Sequence, residues 1–584
     1  MVNLLKQFAL GMTVAALAFS QNARHPKIAA DLAGANGSVD VIVQFDTRPT
    51  ERHHARIRHA GGQLVRTIEG FRGAKYRLHS GSLEQLAADP SVIYMSPDRN
   101  VAASADYVTA EANADIAQSY GWNGSGIGIA VIDSGVNDKH ADLQGRIVYQ
   151  EAFDGPAWTF DKYGHGTHVA GIAVGTGAAS TGPGFTKTFR GIAPAANILN
   201  LRVLDAKGAG SDSMVIAAIY RAIQLKSKYN IRVINLSLGR PVFESYQLDP
   251  LCKAVEDAWM SGIVVVVAAG NEGRTFNSGI YGYAMITAPA NDPLVITVGA
   301  MKGGGTASRS DDLIASYSSK GPTAIDHIVK PDLVAPGNRT ISLFDDQGSF
   351  EIQNPDNIVP LNYYTSSTSN NASSAYYTLS GTSMATPVVA GAAALLFQQN
   401  PNLTPDQVKA KLMKSASKQF PLTSVAVDPA TGISYTSQYD IFTRGAGYLD
   451  VMAALNMTDL PPSTGAAAAS PVAVFDTTTG AIYMANAQSA LWGSSALWGS
   501  SALWGSSALW GSSALWGSSA VWGSSVWVDG SSALWGTSAL WGSSALWGTG
   551  TFSGFSAILN PNPAWGITHV VGSERLAVTL NGEK

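Results

Sequence analysis

Apolar residues run almost unbroken through Gly128-Ile129-Ala130-Val131-Ile132, Val233 to Leu238 and Ile263 to Ala269. Runs of this kind predict strands buried on both faces, hence a parallel sheet with helices on either side. Met214 to Tyr229 reads as an intervening helix. Val388 to Phe397 is apolar on every side, which predicts a buried helix. Pro is best tolerated in a helix's first turn, so Pro387 places the start of that helix within a few residues of Ser383. Residues 105–457 are therefore expected to form an α/β unit with a parallel sheet. Upstream, Val39 to Phe45 and Gly73 to Leu78 alternate like half-buried strands, and Ser82 to Ala88 reads as a short helix. Those patterns predict a small, separate α+β unit over 24–104.

The two ends of the chain carry different patterns. Lys6, the short apolar stretch Phe8 to Phe19 and the small residues near Ser20 to Ala23 predict a signal peptide over 1–23, and therefore export. That apolar stretch is too short to span a bilayer. From Pro461-Pro462 the composition shifts, giving an expected linker over 458–489. A hexapeptide, Ser-Ala-Leu-Trp-Gly-Ser, then repeats over 490–550, followed by a segment at 551–584. Ten of the 14 tryptophans lie in this repeat, from Trp492 to Trp547. Six is an even period, so an extended chain would put every Trp on one face. A β-solenoid-like array and a disordered low-complexity tract both fit that pattern. Either way, a Trp stripe suits attachment to a cell surface or self-association.

Composition narrows the classes. A net charge of −4 argues for neither nucleic acid nor a charged membrane surface as partner. Cys252 is the single cysteine, so no intrachain disulfide exists, and its apolar neighbours predict a buried small side chain. Five of the ten histidines lie in the upstream unit: His25, His53, His54, His59 and His79. They read as solvated surface or as a pH sensor.

Chemistry gathers at four motifs. Ser383, in Gly381-Thr382-Ser383-Met384-Ala385-Thr386-Pro387, sits where free N–H groups and the helix dipole meet. Taken alone it reads more readily as an N-cap, the far commoner role for a lone serine there. Asp133 ends the strand Ile129-Ala130-Val131-Ile132, at the sheet edge where α/β sites form. His165 and His168 lie in His165-Gly166-Thr167-His168-Val169-Ala170-Gly171, and could be a base, a metal pair or packed histidines. Asn271 stands between glycines after the strand ending at Ala269, and can present an amide donor. Together the four supply a nucleophile, a base, an orienting carboxylate and an oxyanion donor. The order Asp, His, Ser is one of the known triad orders.

At these motifs, with Ser316 to Pro322 and Lys330 to Gly337, the chain resembles the subtilisin-like serine proteases, the subtilases, and their AprX-like branch. The resemblance covers about 122–453; 39–101 looks similar to the family's inhibitory prodomain. It implies a secreted serine endopeptidase made as a self-processing zymogen, cleaved near 99–108. Ser383 would be the nucleophile, His165 the base, Asp133 its orienting carboxylate and Asn271 an oxyanion donor. Gly208-Ala209-Gly210 and Ser237-Leu238-Gly239 match the segments that sandwich substrate. Protein or peptide substrates and the chain's own prodomain are the implied partners. No cofactor is implied for the chemistry. Asp142 occupies a familiar calcium-ligand position, but the loop Gly175 to Arg190 offers few carboxylates, so calcium is not supported there. The alternative is a surface or assembly protein, its repeats matured by the protease.

Overall fold

The computed structural model describes residues 25, 27–29, 32, 37–68, 72–97, 107–155, 158–277, 280–428, 432–458, 460–461, 468–476, 481–485 and 578–583. The expected signal peptide, the Trp repeats and nearly all of the expected cleavage region lie outside them. The chain divides into two compact units, one up to Ala102 and one from Ala103.

In the first unit, strands β1 (Ser38–Phe45), β2 (Gln63–Thr67), β3 (Gly73–His79) and β4 (Val92–Pro97) form an antiparallel sheet in the order β2-β3-β1-β4. Alternation sets its inner face: Val41, Val43 and Phe45 are buried, while the residues between them are less so. Helices α1 (Glu51–His59) and α2 (Leu83–Ala87) close the same core through Ile57, Leu83 and Leu86. His54 is buried and its Nδ1 lies 2.8 Å from the Tyr76 hydroxyl, so this histidine is packed, not solvated.

The second unit is built on an eight-stranded sheet. Strands β5 (Gly128–Asp133), β6 (Ile147–Ala152), β7 (Asn197–Arg202), β8 (Ile231–Leu236), β9 (Val264–Ala268), β10 (Ile296–Lys302), β11 (Leu313–Ile314) and β12 (Leu333–Pro336) contribute to it. The order is β11-β10-β9-β8-β5-β7-β6, with β12 also on β10. Every pair is parallel except β10–β11. Every residue of β5 and of β9 is buried, as their Val/Ile composition demands. Helices α3 (His165–Val174), α4 (Asp212–Tyr229), α5 (Pro250–Met260) and α6 (Thr382–Gln399) cover the sheet. The pair α3 and α6 and the pair α4 and α5 each pack together and against strands, so the two faces are covered by different pairs. Winding runs from β5 out to β6 and β7 on one side, then crosses through α4 to β8 on the other. Order reverses beside β5, and its carboxyl end, Asp133, is where such sheets bind ligands.

The stretch expected to be linker carries structure. β13 (Val472–Asp476) pairs antiparallel with β14 (Ala481–Ala485). Ser470, just before it, donates from Oγ to Asp332 Oδ1 at 2.5 Å and accepts from Lys409 Nζ at 2.9 Å. Asp332, Lys330 and Lys409 are fully buried, and Asp332 pairs with both lysines. Composition marks the Pro/Gly boundary but not this long-range polar cluster.

Candidate active site

Helix α6 starts at Thr382, behind Gly381 with φ +145°. Its residues Met384 to Phe397 are all buried, so the helix is fixed on every side. The start falls one residue before Ser383, as expected, while Pro387 lies beyond the first turn. Proline has no N–H, so the carbonyl four residues earlier loses its helical partner. That carbonyl belongs to Ser383, and the Ser237 hydroxyl donates to it at 2.8 Å. In return Ser383 Oγ donates to the Ser237 carbonyl at 3.2 Å. Asn235 Nδ2 donates to Ser237 Oγ at 3.0 Å. The end of β8 therefore grips the helix start from two directions.

His165 opens α3 behind Gly164, whose φ is +107°. Its Nδ1 lies 2.8 Å from Asp133 Oδ1. Asp133 is fully buried, and Oδ1 also accepts from Ser134 N at 2.8 Å. Burial pushes the His165 pKa down, but the Asp133 charge and hydrogen bond outweigh it, so the net shift is upward from the ordinary value. Asp161, which the motifs did not single out, organises this region. Oδ1 accepts from Gly164 N at 2.8 Å and Ser134 Oγ at 2.9 Å; Oδ2 accepts from Thr167 N and Oγ1, each at 2.8 Å. Ser134 Oγ in turn accepts from Gly166 N at 2.9 Å. Asp161 thus caps the helix that carries His165. An aspartate four residues before an apolar helical run is the signal that could have found it.

Asn271 follows β9. Its Oδ1 accepts from Thr382 N at 2.9 Å and from Thr382 Oγ1 at 3.1 Å. With the oxygen occupied, Nδ2 is the end left to donate. Asn271 and Ser383 line a cavity of about 130 Å³ with Leu238, Gly239, Thr287 and Glu272. Gly208 is not on that wall. It has φ +72°, and a Cβ there would stand 2.7 Å from the Tyr163 ring, which lies beside His165. Ala209 and Gly210 continue that turn, which Asp205 ties by accepting from Ala209 N at 3.0 Å.

Other candidates fall elsewhere. His168 is buried in α3, its Nε2 3.2 Å from the Tyr377 carbonyl, and burial pulls its pKa down to about 3. It does not share a site with His165, so the pair is not a metal pair. Cys252 is buried in α5 with Sγ 3.4 Å from Asn291 Oδ1, and burial raises its pKa. It behaves as the small core side chain its neighbours predicted.

Residues 124–448 match the family model described as the subtilase family. Serine protease AprX of Bacillus subtilis is 40% identical over 301 residues, which are 50% of this chain and 62% of AprX. Subtilisin E of Bacillus subtilis is 32% identical over 366 residues, 62% of this chain and 80% of that protein. The extracellular serine proteinase of a Thermus species is 35% identical over 358 residues, 59% and 71% of the two chains.

Proposed function

The chain belongs to the subtilase family, and from that we propose that it is a serine endopeptidase acting through Ser383, His165 and Asp133. The observation that carries this reading is the buried Asp133–His165 hydrogen bond of 2.8 Å at the carboxyl end of β5. Ser383 Oγ turns from the Ser237 carbonyl toward His165 and attacks the substrate carbonyl carbon. As the Oγ–C bond forms, His165 Nε2 takes the hydroxyl proton. Asp133 fixes the Nδ1–H tautomer and stabilises the imidazolium. Asn271 Nδ2 and the Ser383 N–H receive the oxyanion. Collapse breaks the C–N bond, with His165 returning the proton to the leaving amine. Water, deprotonated by the same imidazole, then cleaves the acyl ester.

Substrate backbone lies between Gly208-Ala209-Gly210 and Ser237-Leu238-Gly239. The cavity beside Ser383 takes a substrate side chain. No cofactor enters the chemistry. Calcium is not used at Asp142, because its carboxylate already accepts from Gly177 N at 3.1 Å, Ala179 N at 2.7 Å and the Tyr376 hydroxyl at 3.1 Å. Such donors compete with a cation for the same lone pairs.

Export and zymogen processing complete the proposal: signal peptide 1–23, inhibitory unit 24–104, peptidase unit from 105. No helix among the described residues is long and apolar enough to cross a membrane. The six-residue Trp period supports a second role in surface attachment or self-association, tested by removing 490–550 alone and measuring both. For the enzyme, a fluorophosphonate should label Ser383 and no other residue. Ser383→Ala should leave the purified precursor uncleaved. Labelling elsewhere, or efficient self-processing of that variant, would sink the proposal.

A further inference from the structure

We propose that the segment Val578–Glu583 is an internal strut of the catalytic centre and that Glu583 is a positioning residue for Asn271. This rests on Asn271 being the oxyanion donor.

Burial, hydrogen bonds and a glycine seat the segment. Val578 is 2% exposed and lies in a helical turn that includes 578–581. Ser380, three residues before Ser383, donates its N–H to the Thr579 carbonyl at 2.9 Å. Asn357 Nδ2 donates to the Leu580 carbonyl at 2.5 Å. Asn338 holds the Glu583 backbone in both directions, donating to its carbonyl at 2.8 Å and accepting from its N–H at 2.7 Å. Gly582 has φ +56°, and an added Cβ would collide with Ser380 Oγ and Asn338 Oδ1. The fit therefore needs glycine twice over, for its dihedral and for its close approach.

The side chain of Glu583 goes further in. It is 4% exposed and accepts from Ser316 N at 2.6 Å, from Ser316 Oγ, and from Arg274 Nη2 at 3.1 Å. Arg274 is itself 8% exposed and donates from Nε to Ser316 Oγ at 2.8 Å. Between Asn271 and Arg274, both backbone amides are tied to the 316–319 loop. Glu272 N donates to Ser319 Oγ at 3.0 Å and Gly273 N to the Tyr317 carbonyl at 2.7 Å. Glu583 ties Ser316 and Arg274 of this lattice together. Removing its carboxylate takes from the buried Arg274 guanidinium the nearer of its two carboxylate partners, leaving only Asp428 Oδ2 at 3.5 Å, three residues from the proposed oxyanion donor. A segment resting passively on the surface would not place its carboxylate in a buried ion pair.

The strut follows the Trp repeats in the chain, while the hairpin β13–β14 precedes them. Both flanks of the repeats are thus fixed on the peptidase unit. The centre gains its last support only after the repeats have been made.

The test uses the full chain, with active molecules counted by fluorophosphonate titration and a short peptide substrate. Glu583→Ala should lower kcat about tenfold with KM within twofold. Gly582→Val, which keeps the carboxylate but evicts the segment, should do the same. In an Asn271→Ala background, Glu583→Ala should lower kcat less than twofold further, because the donor it positions is gone. Unchanged kcat in both Glu583→Ala and Gly582→Val would overturn the inference. So would an equal tenfold loss with or without Asn271. Failure of Asn271→Ala itself to lower kcat would instead overturn the oxyanion assignment.

Discussion

The grip of Ser237 on Ser383 can be measured as a coupling to Pro387. Ser237→Ala removes the hydroxyl that donates to the Ser383 carbonyl at 2.8 Å. Because Pro387 supplies no N–H, that carbonyl is then left without its donor inside the protein. An unsatisfied buried carbonyl costs about 1–3 kcal/mol, and Asn235 Nδ2 loses its acceptor as well. In a Pro387→Ala background the restored N–H can bond the same carbonyl, so Ser237→Ala should cost less. The Asn235 loss is common to both backgrounds and cancels in the cycle. A coupling of about 1–2 kcal/mol between positions 237 and 387 is expected. Four chains, all carrying Ser383→Ala to stop self-digestion, would be unfolded in urea and followed by circular dichroism. Tryptophan fluorescence would report mainly the repeats, where ten of the 14 tryptophans lie. Coupling below about 0.5 kcal/mol, the usual level for independent sites, would refute the argument.

Three further outcomes follow from the same geometry. His165 must be neutral to accept a proton, and Asp133 raises its pKa, so kcat/KM should rise with pH through a value above the usual 6.5; Asp133→Asn should shift that limb downward and cut kcat by about 10⁴-fold, read from pH–rate profiles. Asp161→Ala strips the acceptors from Gly164 N and Thr167 N and should destabilise the peptidase unit by about 1–3 kcal/mol with a parallel fall in kcat, measured by denaturation and peptide hydrolysis. Asp332→Ala leaves Lys330 and Lys409 buried without their carboxylate and should cost about 3–5 kcal/mol. Burial holds Lys330 below the lysine range, at about 7, so the folded state binds fewer protons than the unfolded one above that pH, and the variant's stability should climb with pH from about 7 toward 10.5 in thermal melts.

Strands buried on both faces were the most legible part of the fold, because Val/Ile runs leave one choice of environment. β9 falls within the run that predicted it, β5 exceeds its run only by Asp133, and α4 starts only two residues before its expected Met214. α1 was not legible: Glu51–His59 is charged nearly all round, and only His54 and Ile57 are buried. Its helical form comes from packing on the sheet and a Thr50–His53 capping box, not from a periodic apolar stripe. Pro387 placed the helix start correctly, next to Ser383, yet it sits deeper than the first turn. Helix propensity alone confines proline to the first turn, but a tertiary donor, Ser237, satisfies the carbonyl that proline orphans.

That substitution of partners also explains which part of the site a sequence can reveal. Asp133, His165, Asn271 and Ser383 stand out because each sits in a short run of glycines and small residues at an element end. What holds them does not stand out. Ser237 reaches Ser383 across 146 positions, Ser134 and Asp161 bridge 27, and Glu583 meets Arg274 across 309. Each support is an ordinary residue type whose role depends on a partner elsewhere in the chain. A serine at a buried helix start is fixed by packing in its backbone, yet its hydroxyl must still turn from one acceptor to another. The two demands are met by different atoms of Ser237: its hydroxyl anchors the Ser383 carbonyl, while its own carbonyl holds the Ser383 hydroxyl only at 3.2 Å. The shorter bond fixes the main chain and the longer one leaves the proposed nucleophile free to leave.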